Sequence, residues 1–355
     1  MKHLALNRQA VTEIYRERKL PFPGQVLVEL GQSVHPEDRV AEAELPGEIF
    51  SLDIARGLGV DPSEVLSYLV RDLGEELAED DVIAECDIGL PRLMRAPRAG
   101  KLLACRDGVA LLAAGKKTVG VRAGMIGVVS TILPERGVIL KAQGSLIQAV
   151  WGNGRVGAGI LRVQTAALSE EISTKELKKF DKGQVIAAFA IMDESELTAV
   201  VEKEPTGLIL GSIMPSLIGK VQALHFPVVL LGGFGKLPPD HHAFNVLQGG
   251  NGEVVCINAS QPDILGGEWP EVIIPNVAGE IKAPLPFQAE LRVGQRVQAL
   301  SGTGFGEVFT VASLPEEEIT LESGLACKPA ILHSEEGESI SLPRENLLIL
   351  DAQKD

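Results

Sequence analysis

A fifteen-residue segment occurs twice in this chain, 43 residues apart, and nothing else in the sequence constrains the fold as strongly. Residues 30–44 read LGQSVHPEDRVAEAE and residues 73–87 read LGEELAEDDVIAECD. Leucine, glycine, aspartate, alanine and glutamate return at matching places, with branched aliphatics between them. A turn glycine followed by aliphatics at strand spacing specifies a β-hairpin, and a lone hairpin buries too little apolar surface to stand by itself. The two copies are therefore expected to build one β-sandwich.

Composition agrees with that texture. The chain has 355 residues, 45% apolar, with 38 glycines and few aromatics, enough for two or three cores joined by short strands and tight turns. Its net charge is −15, a poor field for phosphate contact, so a dedicated nucleic-acid binder is disfavoured and protein partners are expected. The four cysteines (Cys86, Cys105, Cys256, Cys327) show no CxxC or CxxH spacing, which argues against structural zinc and for free thiols. The N-terminus lacks the apolar stretch of a signal peptide, and no run of 18 apolar residues occurs. A cytoplasmic protein without a membrane span is expected.

Along the chain, residues 1–20 carry five basic residues against Glu13 and Glu17 and are expected as a short arm or helix closed by Pro21 and Pro23. Residues 21–165 read as β, interrupted by a short helix that Asp61 caps and Pro62 opens. Residues 166–272 alternate apolar strands with amphipathic helices. Ser173 and Glu176 form one capping box, and Asp193 and Glu196 another. The strands at 185–192, 207–213, 226–235 and 253–259 are apolar throughout, as in a parallel sheet covered on both faces. A proline-rich linker is expected at 273–287 and a second β unit at 288–355. The fold class is multidomain α+β: a β-rich region, a parallel α/β unit and a small C-terminal barrel.

The repeat resembles the half-motif of biotinyl- and lipoyl-like barrel-sandwich hybrid domains. RAPRAGKLLACRDG at 95–108 is similar to the strand that completes such barrels. In carrier members of that family a hairpin lysine takes the prosthetic group. Here Leu45 follows Glu42-Ala43-Glu44, and Ile88 follows Glu85-Cys86-Asp87. Neither has an amine to acylate, so the resemblance implies the barrel without lipoyl, biotin or any other cofactor. VGQRVQALSGTGFGEVFTV, opening the last unit, resembles a KOW motif in an SH3-like barrel, with Gly306 as the motif glycine. KOW domains contact RNA, ribosomes or RNA polymerase, but residues 290–355 hold 12 acids and 5 bases. A protein-binding or structural barrel is the better expectation. The order of parts also resembles an uncharacterised bacterial family of the green non-sulfur type, which implies no activity.

Two sets of residues are candidate sites. Ligands of open parallel sheets bind beyond the carboxyl ends of the strands. In this chain that rim holds Asp193, Gly211, Ser212, Gly232, Gly233, Phe234 and Gly235. The other set is basic: Arg92, Arg95, Arg98, Lys101, Arg106, Lys116, Lys117 and Arg122 face a single acid, Asp107, in their stretch. They could form a docking surface or balance the acidic second repeat across neighbouring strands. GNGRVGAG at 152–159 matches GxGxxG, but a strand-like ILRVQT follows it, so it is read as a glycine-rich loop or junction. Asp240-His241-His242 lacks the further ligands of a metal site, and no catalytic residues or nucleophile motifs assemble. The first expectation is a non-enzymatic scaffold or adaptor. A transcription- or translation-associated KOW factor, and an enzyme or electron-transfer subunit with a small ligand at the rim, are the alternatives.

Overall fold

From Ile14 to Lys19 buried and exposed side chains alternate, the two-residue period of a strand. In the computed structural model, which describes residues 2–164, 180–237, 240–275, 277, 279–321, 324–334 and 337–350, the first twenty residues form β1 (Lys2–Leu4) and β2 (Arg8–Lys19). The expected arm or helix is corrected for a physical reason. Arg16 and Arg18 stand on the inward face, where a buried carboxylate receives them, so their charges do not mark a solvated tail.

The repeat folds twice in the same way. The first copy spans β3 (Gln25–Val26), β4 (Ser33–Val34) and the start of β5 (Arg39–Asp53). After α1 (Ile54–Leu58) and a 3-10 turn over Pro62–Tyr68 capped by Asp61, the second copy supplies β6 (Glu76–Leu77) and β7 (Val82–Cys86). Then come β8 (Arg92–Arg95), β9 (Gly100–Arg106), β10 (Val109–Arg122), β11 (Gly127–Leu133) and β12 (Gly137–Gln148). Gly31 N–H donates to Val129 O, and Val129 N–H returns to Gln32 O; Gly74, Leu102 and Glu75 repeat this pair of bonds. The Asp38 and Asp81 carboxylates accept from the N–H of His35 and Ala78, at 2.7 and 2.9 Å. Ala123 donates to Asp38 O as Ala96 donates to Asp81 O. Both turn glycines hold positive φ, +82° at Gly31 and +90° at Gly74.

The partners of the two copies come in reversed order along the chain. Copy one closes on residues 123–129 and copy two on residues 96–102, so the second unit is nested inside the first. Strands β5 and β10 connect them. They pair antiparallel from Asp53 against Val109 to Ala41 against Val121, a two-stranded arm with one module at each end, so the expectation of one sandwich from both copies is corrected: each copy packs on its own closing strand and core. At mid-arm a side chain on Gly47 would lie 2.0 Å from Ala114 O, so only glycine lets the strands approach there.

One mixed sheet then runs through the expected boundary at 165/166. It contains β13 (Trp151–Gly152), β14 (Val156–Val163), β15 (Gln184–Ile191), β16 (Gly207–Ile213), β17 (Val228–Phe234), β18 (Val254–Asn258) and β19 (Glu271–Pro275). Its order is β13-β17-β16-β15-β14-β18-β19-β12-β11-β4, with β2 also paired to β12. Strands β14 to β17 are parallel. The expectation for 253–259 is corrected: β18 lies antiparallel to β14 and β19, and β14, read from sequence as following a glycine-rich loop, is the fourth parallel member. The expected linker is corrected too, because Ile273 and Ile274 are fully buried within β19. Helices α2 (Glu194–Val201) and α3 (Ile218–Ala223) cover Ile186, Ala188, Leu208 and Leu210. Helix α4 (His241–Gly249) covers Val185, Ala187, Phe189 and Ile209 on the other face. The capping box at Ser173 and Glu176 lies outside the described residues.

The C-terminal unit is β20 (Gln288–Glu290), β21 (Arg296–Ala299), β22 (Val308–Ser313), β23 (Ile319–Thr320), β24 (Ala326–Cys327), β25 (Pro329–His333), β26 (Ser339–Pro343) and β27 (Leu347–Ile349). Five strands form an antiparallel sheet in the order β26-β25-β22-β21-β27, with a 3-10 turn over Arg344–Asn346 before the last. The N-terminus is stitched to this unit: β1 pairs with β20, and Leu6 N–H donates to Ile349 O. Among the described residues no helix is long and apolar enough to cross a membrane.

Candidate functional site

The rim residues do come together. Strand register places Ser212 beside Gly233 and Ile213 beside both Phe234 and Ile191, so the carboxyl ends of β15, β16 and β17 lie level, with Asp193 just beyond. Asp193 caps α2. Its carboxylate accepts from Ser195 Oγ and Glu196 N–H, which hold it below its ordinary pKa. Gly211 permits close strand approach, since a side chain there would stand 2.5 Å from Phe189 O. Phe234 meets the Trp151 ring edge-on at 5.9 Å. Ser212 Oγ is buried and finds no partner among the described residues.

The protein itself covers much of this rim. Arg8, fully buried, donates to Leu231 O at 2.7 Å and pairs with Asp240, the cap of α4. Arg296 from β21 reaches the same carboxylate at 3.1 Å. Leu237 lies across Gly232 and Gly233 and meets Gly306, where a side chain would stand 2.5 Å from it. Gln298 Nε2 donates to Gly306 O at 2.9 Å. Gly306 thus serves packing between the C-terminal unit and the rim. The N-terminal strand, helix α4 and the C-terminal unit all meet at Asp240.

Most of the basic stretch has partners within the chain. Arg98 pairs with Glu48, Lys116 with Glu44 and Arg106 with Asp107. Arg92 donates to Leu58 O and Arg95 to Asp80 O, each at 2.8 Å. Lys101 stands opposite Glu76 across β9 and β6, and Arg122 opposite Arg39 across β10 and β5. Lys117 and Arg122 make no ion pair with described residues. The hydrogen bond and charge of Glu44 raise the pKa of Lys116. Exposed pairs of this kind contribute little stability, but they do offset the positive field.

The nested module carries a different surface. Between β7 and β8 the chain turns through Asp87-Ile88-Gly89-Leu90-Pro91, and this tip leaves Ile88 75% and Leu90 79% exposed. Leu93 on the same hairpin, with Leu66, Val70 and Leu73 of the same module, is also exposed. Isolated exposed aliphatics are ordinary, but this small unit presents several.

A polar cleft of about 600 Å³ went unseen in the sequence. Its wall includes Arg16 and Arg18 from β2, Gln148 from β12, Asn258 from β18, and Trp269 and Glu271. Glu271 is 2% exposed and holds Arg16 Nη2 at 2.6 Å and Arg18 Nη2 at 3.3 Å. Burial alone pushes the Glu271 carboxyl up, but the two guanidinium charges and their hydrogen bonds hold it below the ordinary value. The available signal was the i, i+2 spacing of Arg16 and Arg18, which puts both cations on one face of a strand. Comparison with protein-family models, with curated proteins and with solved structures finds no match to this chain.

Proposed function

We propose that the chain is a non-enzymatic cytoplasmic adaptor whose nested module, residues 45–118, is the head that engages a protein partner. The observation that carries this reading is the apolar hairpin tip, Ile88 and Leu90, at the far end of a two-stranded arm. The resemblance to lipoyl- and biotinyl-like domains gives the tip its meaning. Ile88 stands where a carrier would bear its acylated lysine. The matching point of the first copy, Leu45, leads into the inserted module, so the reading needs no lipoyl or biotin cofactor. An exposed aliphatic pair can instead seat in a partner's apolar pocket, the usual centre of interface energy.

The C-terminal unit is read as an SH3-like barrel with a structural role. In support, its five strands are antiparallel with a 3-10 turn before the last. Its Arg296, Gln298 and Gly306 face inward onto the rim, and its acidic balance is unsuited to RNA. The test uses the full chain as native bait, wild type against Ile88→Asp/Leu90→Asp, with quantitative mass spectrometry. A partner retained by wild type and lost from the double variant, at unchanged melting temperature, supports the adaptor reading. Equal capture by both, or no stable partner and no self-association, refutes it.

A further inference from the structure

The polar cleft is lined by donors with nothing to donate to. Gln148 Oε1 accepts from the N–H of Asn7 at 2.8 Å, which fixes the amide orientation and leaves Nε2 without a partner among the described residues. Asn258 Oδ1 accepts from Ser260 N–H and Oγ, which fixes that amide likewise and leaves Nδ2 uncommitted. Arg18 spends Nε on Ala123 O and Nη2 on Glu271, so Nη1 remains. Trp269, nine-tenths buried, has an indole N–H with no partner among the described residues. Each of the four lines the same cleft. Asn258 Nδ2 and Arg18 Nη2 flank Gly124, both within 3.3 Å of where a side-chain carbon would stand, so two of the donor residues are direct neighbours.

Of these donors Trp269 Nε1 is buried without a partner among the described residues, while those of Gln148, Asn258 and Arg18 are open to the cleft, so a solute entering there meets donors that the described chain leaves uncommitted. Among the described residues the buried carboxylate of the cleft, Glu271, is consumed by Arg16 and Arg18, and that trio carries one net positive charge. Glu268 stands exposed at the mouth, where its charge also acts on Arg16, and Glu17 is paired with Lys19. We propose that this cleft binds a small molecule by an oxyanion group, carboxylate or phosphate, held by Arg18 Nη1 and the amides of Gln148 and Asn258. The site does not depend on the adaptor reading.

The test is calorimetric titration of the full-length protein with inorganic phosphate and, separately, with succinate, at constant ionic strength. Gln148→Glu and Asn258→Asp keep each accepting oxygen and replace the donor with a second oxygen, so the fold is retained while an anion is repelled. Loss of one charge-assisted bond weakens binding about tenfold or more, and that loss is expected in both variants. The tighter of the two anions identifies the oxyanion class. The proposal is overturned if neither anion binds wild type at roughly 10 mM, well above a millimolar Kd. It is also overturned if a bound anion shows the same Kd for wild type and either variant.

Discussion

Glu271→Gln tests how the main sheet tolerates charge in its interior. The carboxylate is fully inside and receives Arg16 Nε at 2.7 Å, Arg16 Nη2 at 2.6 Å and Arg18 Nη2 at 3.3 Å. Glutamine keeps one accepting oxygen but turns an NH2 group toward a guanidinium and leaves buried Arg18 and half-buried Arg16 without their shared buried counter-charge. Removing one partner of a buried ion pair costs about 3–5 kcal/mol, a large share of the roughly 5–15 kcal/mol that holds a native fold. Urea unfolding at pH 7, followed by tryptophan fluorescence, reads the difference, since Trp269 lies in the same cleft wall. The carboxyl is held below its ordinary value of 4.5, so its stabilisation is complete above that pH and is lost as pH falls through the lowered folded value. The gap between wild type and variant should therefore be full at pH 7 and shrink only in strong acid. A gap below about 1 kcal/mol at pH 7 would refute the argument, because it would mean the guanidiniums are hydrated and the site is not an interior one.

Two further outcomes follow from local geometry. Gly31→Ala and Gly74→Ala each force a side chain into positive φ with no neighbour to clash, so each should cost about 1–2 kcal/mol; urea midpoints that differ by more than this range between the two variants would contradict the equivalence of the repeats. Burial pushes the Cys256 thiol up to about 11, so at pH 8 it should resist alkylation in the native protein and label only on unfolding, as peptide mass spectrometry would show; native labelling of Cys256 would place it at the surface.

Local signals are legible in the sequence. Asp61 and Asp193 cap the elements they precede because an acceptor two or three residues before an N–H is a short-range feature. The repeat was visible because its turn glycine and aspartate recur at fixed offset. Strand direction is not legible in the sequence: a strand buried on both faces reads the same whichever way it runs, so the pattern at 253–259 does not distinguish the observed antiparallel β18 from a parallel strand. The N-terminal strand was hidden by its charges, whose buried partner lies more than 250 residues away. The cleft was hidden for the same reason, since its residues come from β2, β12, β18 and the segment around Trp269. Nesting escaped notice because the closing strands share little beyond Arg-Ala and one glycine, RAPRAGKL against RAGMIGVV.

Nesting also separates the two proposed activities in space. The main sheet, the N-terminal strand and the C-terminal unit are tied at one end by Asp240 with Arg8 and Arg296, and β2 is tied to β19 by Glu271 with Arg16 and Arg18. Both ties join segments remote in sequence. The head is joined to the body through β5 and β10, and its own core of Ile54, Leu58, Ile83, Leu102 and Leu112 is distinct from those of the body. A substitution at Ile88 or Leu90 therefore has no packed route into the cleft, and substitutions at Gln148 or Asn258 have none into the head. Sites more than about 10 Å apart that share no partners add independently in energy. If Ile88→Asp/Leu90→Asp changed anion affinity, or Gln148→Glu changed partner capture, arm and body would have to move as one unit, and the division of labour drawn from this fold would fail.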